Sequence, residues 1–179
     1  MEDQKIAVLR LLLALGLGLA LGFERELRGQ DAGLRTHILV CLGSCLFTLS
    51  SLFTVEPLGP HTPSEARADI TRIASQVVVG IGFLGGGAIL RHGTTIKGLT
   101  TAANLWLTAS VGLAAGLGLY WPAFACTGLA LLTLVGLRPM ERIILRLRVK
   151  YGLVSDADLS QRSETKEEAD SSVMRPPSP

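Results

Sequence analysis

The stretch that decides the fold is Gly80-Ile81-Gly82-Phe83-Leu84-Gly85-Gly86-Gly87-Ala88-Ile89-Leu90. It contains G-I-G-F-L-G, a literal G-x-G-x-x-G, and Val77-Val78-Val79 leads into it as a strand would. Two readings compete: a phosphate-cradling turn between strand and helix, or a small-residue face on a membrane helix. A dinucleotide site needs an acidic residue roughly 20 positions later to hold the ribose. No Asp or Glu occurs between Gly82 and Glu141. The helix after a phosphate turn also needs a wet face, and residues 73–90 carry no charge. The membrane reading wins. Gly82 and Gly86 then stack on one helix face and predict close packing there, while Gly85, Gly86 and Gly87 together loosen the helix.

Charge placement extends this reading along the chain. Hydrophobic residues make up 48% and mean hydropathy is +0.41, in spite of a polar tail over residues 152–179. Charges fall in short clusters separated by long uncharged runs, the pattern of an integral membrane protein. The formal net charge of +2 says little, and no nucleic-acid partner is expected. Cys41, Cys45 and Cys126 all lie in apolar runs. They read as small packing residues, without a disulfide scaffold or metal-ligand spacing.

Residues 6–23 are apolar except for Arg10, which can snorkel to an interface. No A-x-A site follows, so this is a retained first span and not a cleaved signal. Residues 24–37 form a polar loop, residues 36–55 a second span, and residues 56–63 a proline-rich loop. Thr62, Pro63 and Glu65 predict a capped helix start that runs on into the glycine stretch. After a polar turn at 91–97, residues 98–137 hold no charge. As one helix they would reach about 60 Å, twice the hydrocarbon thickness, so they make two spans broken at Tyr120-Trp121-Pro122.

The expected architecture is an all-α membrane bundle of about five transmembrane helices over residues 1–137. A basic amphipathic helix over 138–151 follows, suited to an anionic lipid face, and then a disordered cytoplasmic tail over 152–179. Arg25, Arg28, Arg35, Arg91 and Lys97 fall on the same side as the basic C-terminal stretch. The positive-inside rule puts that side in the cytoplasm and the N-terminus outside.

No catalytic set is legible. His37, His61 and His92 fall in three separate loops, and no serine stands in a nucleophile elbow. No cofactor motif is present, no enzyme activity is expected, and metal ligands stay undetermined. The informative residues are polar ones within or beside the spans: Glu24, Arg25, Arg35, Thr36, His37, Asp69, Arg72, Gln76, Thr100, Thr101, Asn104 and Trp106. Thr100, Thr101 and Asn104 share one side of the fourth span. They serve either interhelical hydrogen bonding or a polar path. Glu24 with Arg28, and Asp69 with Arg72, have the spacing of ion pairs along a helix.

Three blocks carry a resemblance. Glu24-Arg25-Glu26, Gly33-Leu34-Arg35-Thr36-His37 and Leu42-Gly43 form the first. Asp69, Arg72-Ile73-Ala74 and Gln76-Val77-Val78, leading into Gly80-Ile81-Gly82-Phe83-Leu84-Gly85, form the second. Gly98-Leu99-Thr100-Thr101-Ala102-Ala103-Asn104-Leu105-Trp106 is the third. In order and spacing they resemble the signatures of the MgtC/SapB membrane proteins. The resemblance implies a multi-pass protein of the bacterial inner membrane, linked to growth under magnesium limitation and to survival in host cells. It also implies either regulation of another membrane protein, as described for one member acting on the ATP synthase, or magnesium transport. Ile70 stands where the family usually has Pro, and the soluble C-terminal domain of longer members has no counterpart here. The leading expectation is a non-enzymatic regulator that works through contacts with a membrane-protein partner and with lipids. A divalent-cation transporter or channel is the alternative, and a homo-oligomer is a further partner state.

Overall fold

The computed structural model describes residues 2–55, 64–92 and 95–151. The proline loop with its Thr62 cap, the centre of the turn at 93–94 and the tail at 152–179 lie outside the described residues. Among the described residues five helices follow one another: α1 (Glu2–Leu27), α2 (Leu34–Val55), α3 (Ser64–Gly87), α4 (Leu99–Gly116) and α5 (Tyr120–Lys150). Between α3 and α4 the chain forms a small antiparallel hairpin, β1 (Leu90–His92) with β2 (Thr95–Lys97), in the register Leu90↔Lys97, Arg91↔Ile96 and His92↔Thr95. The expected polar turn is thus a hairpin, and the described residues are otherwise helical or in short connections.

Helices α1, α2 and α4 form the centre of the first compact unit, Met1–Leu131, and α2 runs between the other two. Glycines set that arrangement. A Cβ on Gly18 would stand 2.9 Å from the Cys41 Cβ and 2.9 Å from the His37 carbonyl oxygen. One on Gly22 would stand 2.8 Å from the Leu34 Cα. From the other side, a Cβ on Gly112 would collide with the Cys41 carbonyl, and one on Gly116 would stand 2.7 Å from the Thr48 Cβ. Lipid tails are as apolar as leucine, so membrane helices associate through close van der Waals fit, which these glycines permit. The residues they meet on α2 are themselves small. Cys41 and Cys45, both free and fully buried, join Ala14, Leu17, Leu49, Val111, Ala115 and Ala123 in the core. The same contacts fix direction: α1 runs antiparallel to α2, and α4 runs parallel to it.

The glycine stretch behaves differently from expectation. Gly80, Gly82, Gly86 and Gly87 have nothing within 4 Å of an added Cβ, and Phe83 is 84% exposed. Only Gly85 touches a neighbouring helix, at 3.7 Å from the Ala102 Cβ. The expected close-packing face of Gly82 and Gly86 is therefore corrected. α3 meets α4 and α2 through Val77, Ile81 and Gly85, a different arc of the helix. The glycines on which the bundle closes are those of α1 and α4.

Among the described residues three segments are long and apolar enough to cross a membrane: Asp3–Leu27, Leu34–Phe53 and Tyr120–Leu137. Helix α4 has 18 residues and no charge, but Thr100, Thr101 and Asn104 lower its hydropathy, and most of its polar atoms face the bundle. The apolar part of α3, Ser75–Gly87, is shorter and spans about 20 Å at ~1.5 Å per residue. Large apolar side chains line the outside, such as Leu39 and Trp121, as expected for a surface solvated by lipid.

Helix ends follow local chemistry. Gly29 (φ 59) and Gly118 (φ 79) take the left-handed conformation that only glycine adopts cheaply. At α1, Gly29 N donates to Glu26 O and Gln30 N to Arg25 O; at α4, Gly118 N donates to Ala115 O and Leu119 N to Ala114 O. Both are Schellman ends. The second compact unit, Leu132–Pro179, contains the remainder of α5, with Pro139 inside the helix.

Arg10 closes the end of the bundle that holds the α4 C-terminus. Its Nη1 donates to Gly116 O at 2.7 Å and its Nε to the Tyr120 hydroxyl at 3.3 Å. A cation at a helix C-terminus satisfies its free carbonyls and complements the helix dipole. Arg10 is thus a cap within the bundle, where sequence suggested snorkelling. Arg10→Ala is expected to cost about 1 kcal/mol, read as a lowered melting temperature in detergent. An unchanged melting temperature would show the contact to be energetically idle.

Candidate functional site

At the opposite end, three helix termini converge on a buried polar cluster. Its members are Glu24 and Arg25 on α1, His37 on α2, and Thr101, Asn104 and Thr108 on α4, all buried. Each arrives for a local reason. The Gly29 turn folds Gln30 back onto α1, where its Oε1 accepts from Arg25 Nη2 at 2.7 Å. The same nitrogen reaches across to Thr101 Oγ1 at 3.1 Å. Glu26 turns outward from the cluster and accepts from Leu34 N at 2.9 Å, capping the first turn of α2. A side chain at Gly33 would displace that carboxylate from its cap.

His37 sits one turn inside α2, not in the preceding loop as its polar surroundings suggested. Its Nδ1 lies 2.9 Å from Gly33 O and its Nε2 lies 2.9 Å from Asn104 Nδ2. A carbonyl can only accept and an amide nitrogen can only donate. The pairings therefore assign the proton to Nδ1 and leave Nε2 as acceptor. Thr108 Oγ1 donates back to Asn104 O at 2.8 Å and occupies that hydroxyl within α4. The His37–Asn104 bond ties α2 to α4, and the Arg25–Thr101 bond ties α1 to α4.

The charges are arranged along one helix. Glu24 Oε1 pairs with Arg28 Nε one turn on, the pairing expected from spacing. Glu24 Oε2 and Arg25 Nε are buried without a hydrogen-bond partner among the described residues. One carboxylate thus stands with two guanidinium groups, and the cluster is cationic. Among the described residues no group of three or more His, Cys, Asp or Glu could hold a metal ion.

The other sequence candidates divide. Thr101 and Asn104 join the cluster, but Thr100, Trp106 and Arg35 are exposed and Thr36 and Gly33 are half-buried. Gln76 is exposed on α3, away from the cluster. Asp69 and Arg72 lie on the N-terminal part of α3, and their side chains lie outside the described residues. About 19 helical residues separate Asp69 from Ala88, roughly 28 Å along the axis. Ala88 is adjacent to Gly98 at the start of α4, the end where Thr101 and Asn104 lie. Asp69 and Glu24 thus belong to opposite ends. Gln30, Thr108 and the capping role of Arg10 had not been read from the sequence. Gly29 and Gly118, glycines just after helical runs, carried the signal for the turns that place Gln30 and Arg10's target.

A model of the MgtC family matches residues 11–143. An uncharacterized protein of Synechocystis sp. is 44% identical over 138 residues, covering 77% of this chain and 55% of that protein. Protein MgtC of Salmonella choleraesuis is 43% identical over 142 residues, covering 79% and 57%. YhiD of Escherichia coli K12, whose provisional name is that of a magnesium transporter, is 44% identical over 113 residues, covering 63% and 52%. The chain spans about half the length of these relatives. No solved structure matches.

Proposed function

The chain belongs to the MgtC family, and on that premise we propose that it is a non-enzymatic regulator of the bacterial inner membrane. It acts through contacts with another membrane protein under magnesium limitation. In this reading all five helices cross or enter the bilayer, with the N-terminus outside and the C-terminus in the cytoplasm. The positive-inside distribution supports that orientation, since Arg25, Arg28, Arg35, Arg91 and Lys97 gather at one end of the bundle. The stretch 138–150, a continuation of α5, rests on anionic lipid.

One observation carries the choice of regulator over transporter: the only buried carboxylate among the described residues is already neutralised. Mg²⁺ takes octahedral oxygen ligands and commonly one or two carboxylates. Glu24 offers one carboxylate, paired with Arg28 and adjacent in sequence to Arg25. Unit charges about 4 Å apart interact by ~4 kcal/mol at an effective dielectric of 20, and a divalent ion doubles that repulsion from each guanidinium. His37 Nε2 is held by Asn104 Nδ2 and its Nδ1 by Gly33 O, and Thr101 Oγ1 accepts from Arg25. The cluster is suited to clasp three helices together, and poorly suited to pass a cation. The provisional name of YhiD favours transport, and the charge balance of this site outweighs it.

Crosslinking in native membranes followed by purification of the tagged chain tests the regulator reading. A defined membrane protein should be recovered at stoichiometric yield, more so from cells starved of magnesium. Recovery of lipid alone under both conditions would contradict it.

A further inference from the structure

Past Leu137, where its apolar span ends, α5 runs on to Lys150. Held straight, that extension reaches about 20 Å beyond the span. Met140, Ile143, Ile144 and Leu147 recur along it at three- and four-residue spacing and so share one face. Tyr151 continues the row, its N–H donating to Leu147 O. All five side chains are exposed. A continuous apolar stripe of this kind marks a contact surface. Around it, residues 138–150 carry five cations, Arg138, Arg142, Arg146, Arg148 and Lys150, against one anion, Glu141. The stripe therefore calls for a partner that is both apolar and anionic.

Three occupants compete. A second copy brings the same cations and is repelled. The stretch 156–170 of this chain is acidic, with six carboxylates against two cations, but Leu159 is its only large apolar residue. It answers the charge and leaves the stripe wet. An anionic phospholipid surface answers both, since acyl chains take the apolar face and headgroups take the cations. It is also the surface from which this helix emerges. Pro139, inside the helix, lets the extension reach it. Proline has no N–H to give the Val135 carbonyl, and its ring crowds that oxygen, so a helix bends there. Val135 lies two residues before the end of the apolar span. At that level water or headgroups can take up the freed carbonyl, which hydrocarbon could not. We propose that Pro139 is a hinge, and that the segment beyond it folds onto the leaflet when its lipids are anionic and stands free when they are neutral. The proposal rests on α5 crossing the bilayer as read above, and makes the lipid contact of residues 138–150 a charge-dependent strap.

A polarity-sensitive dye on Leu147→Cys tests this, with the full chain in bilayers and a Cys126→Ser background. Cys41 and Cys45 are fully buried and silent. The emission should shift to the blue when phosphatidylglycerol is added to phosphatidylcholine, and shift back in high salt. Arg146→Gln should lower the docked-to-free ratio about fivefold. Pro139→Ala restores the straight helix and should keep the dye in water with either lipid. Pro139→Gly still lets the helix bend and should retain the shift. Docking of Pro139→Ala equal to the parent's would overturn the hinge. A dye equally blue in phosphatidylcholine alone would assign the stripe to the acidic stretch and overturn the lipid as occupant. Oxidation of the unlabelled thiol to a linked dimer would assign it to a second copy, with the same consequence. Labelling of Leu129→Cys by a membrane-impermeant maleimide would remove the α5 span and the strap with it. A protected position 129 beside a position 147 that stays wet in every bilayer sinks the strap alone.

Discussion

Gly112→Ala is expected to destabilise the bundle by about 3 kcal/mol. The added carbon has no space: it meets the carbonyl of Cys41, with the Cys41 Cα and carbonyl carbon both 3.0 Å away. Those are backbone atoms of the central helix, and a backbone cannot rotate aside as a leucine tip can. Accommodation requires α4 to move off α2. That shift also stretches the 2.9 Å bond between His37 and Asn104, which joins the same two helices. The measurement is thermal or protease unfolding of the purified chain in detergent. Gly82→Leu is the control. It adds three more carbons than Gly112→Ala, yet nothing lies within 4 Å of its Cβ. It also removes a helix-weakening glycine, worth up to ~1 kcal/mol. The monomer should tolerate it or gain slightly. Equal losses from the two variants would refute the assignment of packing roles.

Glu24→Ala should be comparably damaging, at about 3–5 kcal/mol, because it strands a buried charge. Arg25 is 3% exposed, and Arg28 has a side chain only 18% exposed. Removing the one buried carboxylate leaves Arg28 without its ion-pair partner and the buried Arg25 without the charge beside it. Arg28→Ala should cost less, since solvent reaches that side chain and Arg25 remains to balance Glu24. The ordering of the two melting temperatures, Glu24→Ala below Arg28→Ala, is the readout. The reverse ordering would mean that Glu24 is balanced by a group outside this cluster.

Much of this architecture is legible in the residues. Uncharged runs locate the helices, and the lack of an acidic residue after Gly82 disposes of the nucleotide fingerprint. The break between α4 and α5 falls near the anticipated Tyr120, because Gly118 ends one helix just before Pro122 lends its fixed φ to the next. The ion pair of Glu24 with Arg28 follows from spacing alone. What periodicity could not tell is which glycines close the bundle. Gly82–Gly86, Gly18–Gly22 and Gly112–Gly116 are equivalent as spacing, and only the fold distinguishes them. α2 has neighbours on two sides and meets the second and third pairs, whereas α3 presents the first pair outward. Likewise, Thr100, Thr101 and Asn104 share a helical side in sequence, but only the latter two turn inward. His37 was hidden by its polar approach, Arg35-Thr36, which concealed that α2 had already begun at Leu34.

The claim on which the rest depends is that the buried polar end of this bundle is a clasp between helices and not a cation path. Magnesium entry into liposomes containing the purified full chain, followed with an entrapped magnesium-sensitive dye, tests it most directly. The expected result is entry no faster than into protein-free liposomes at any external magnesium concentration. Saturable entry that is lost on Glu24→Gln would contradict it.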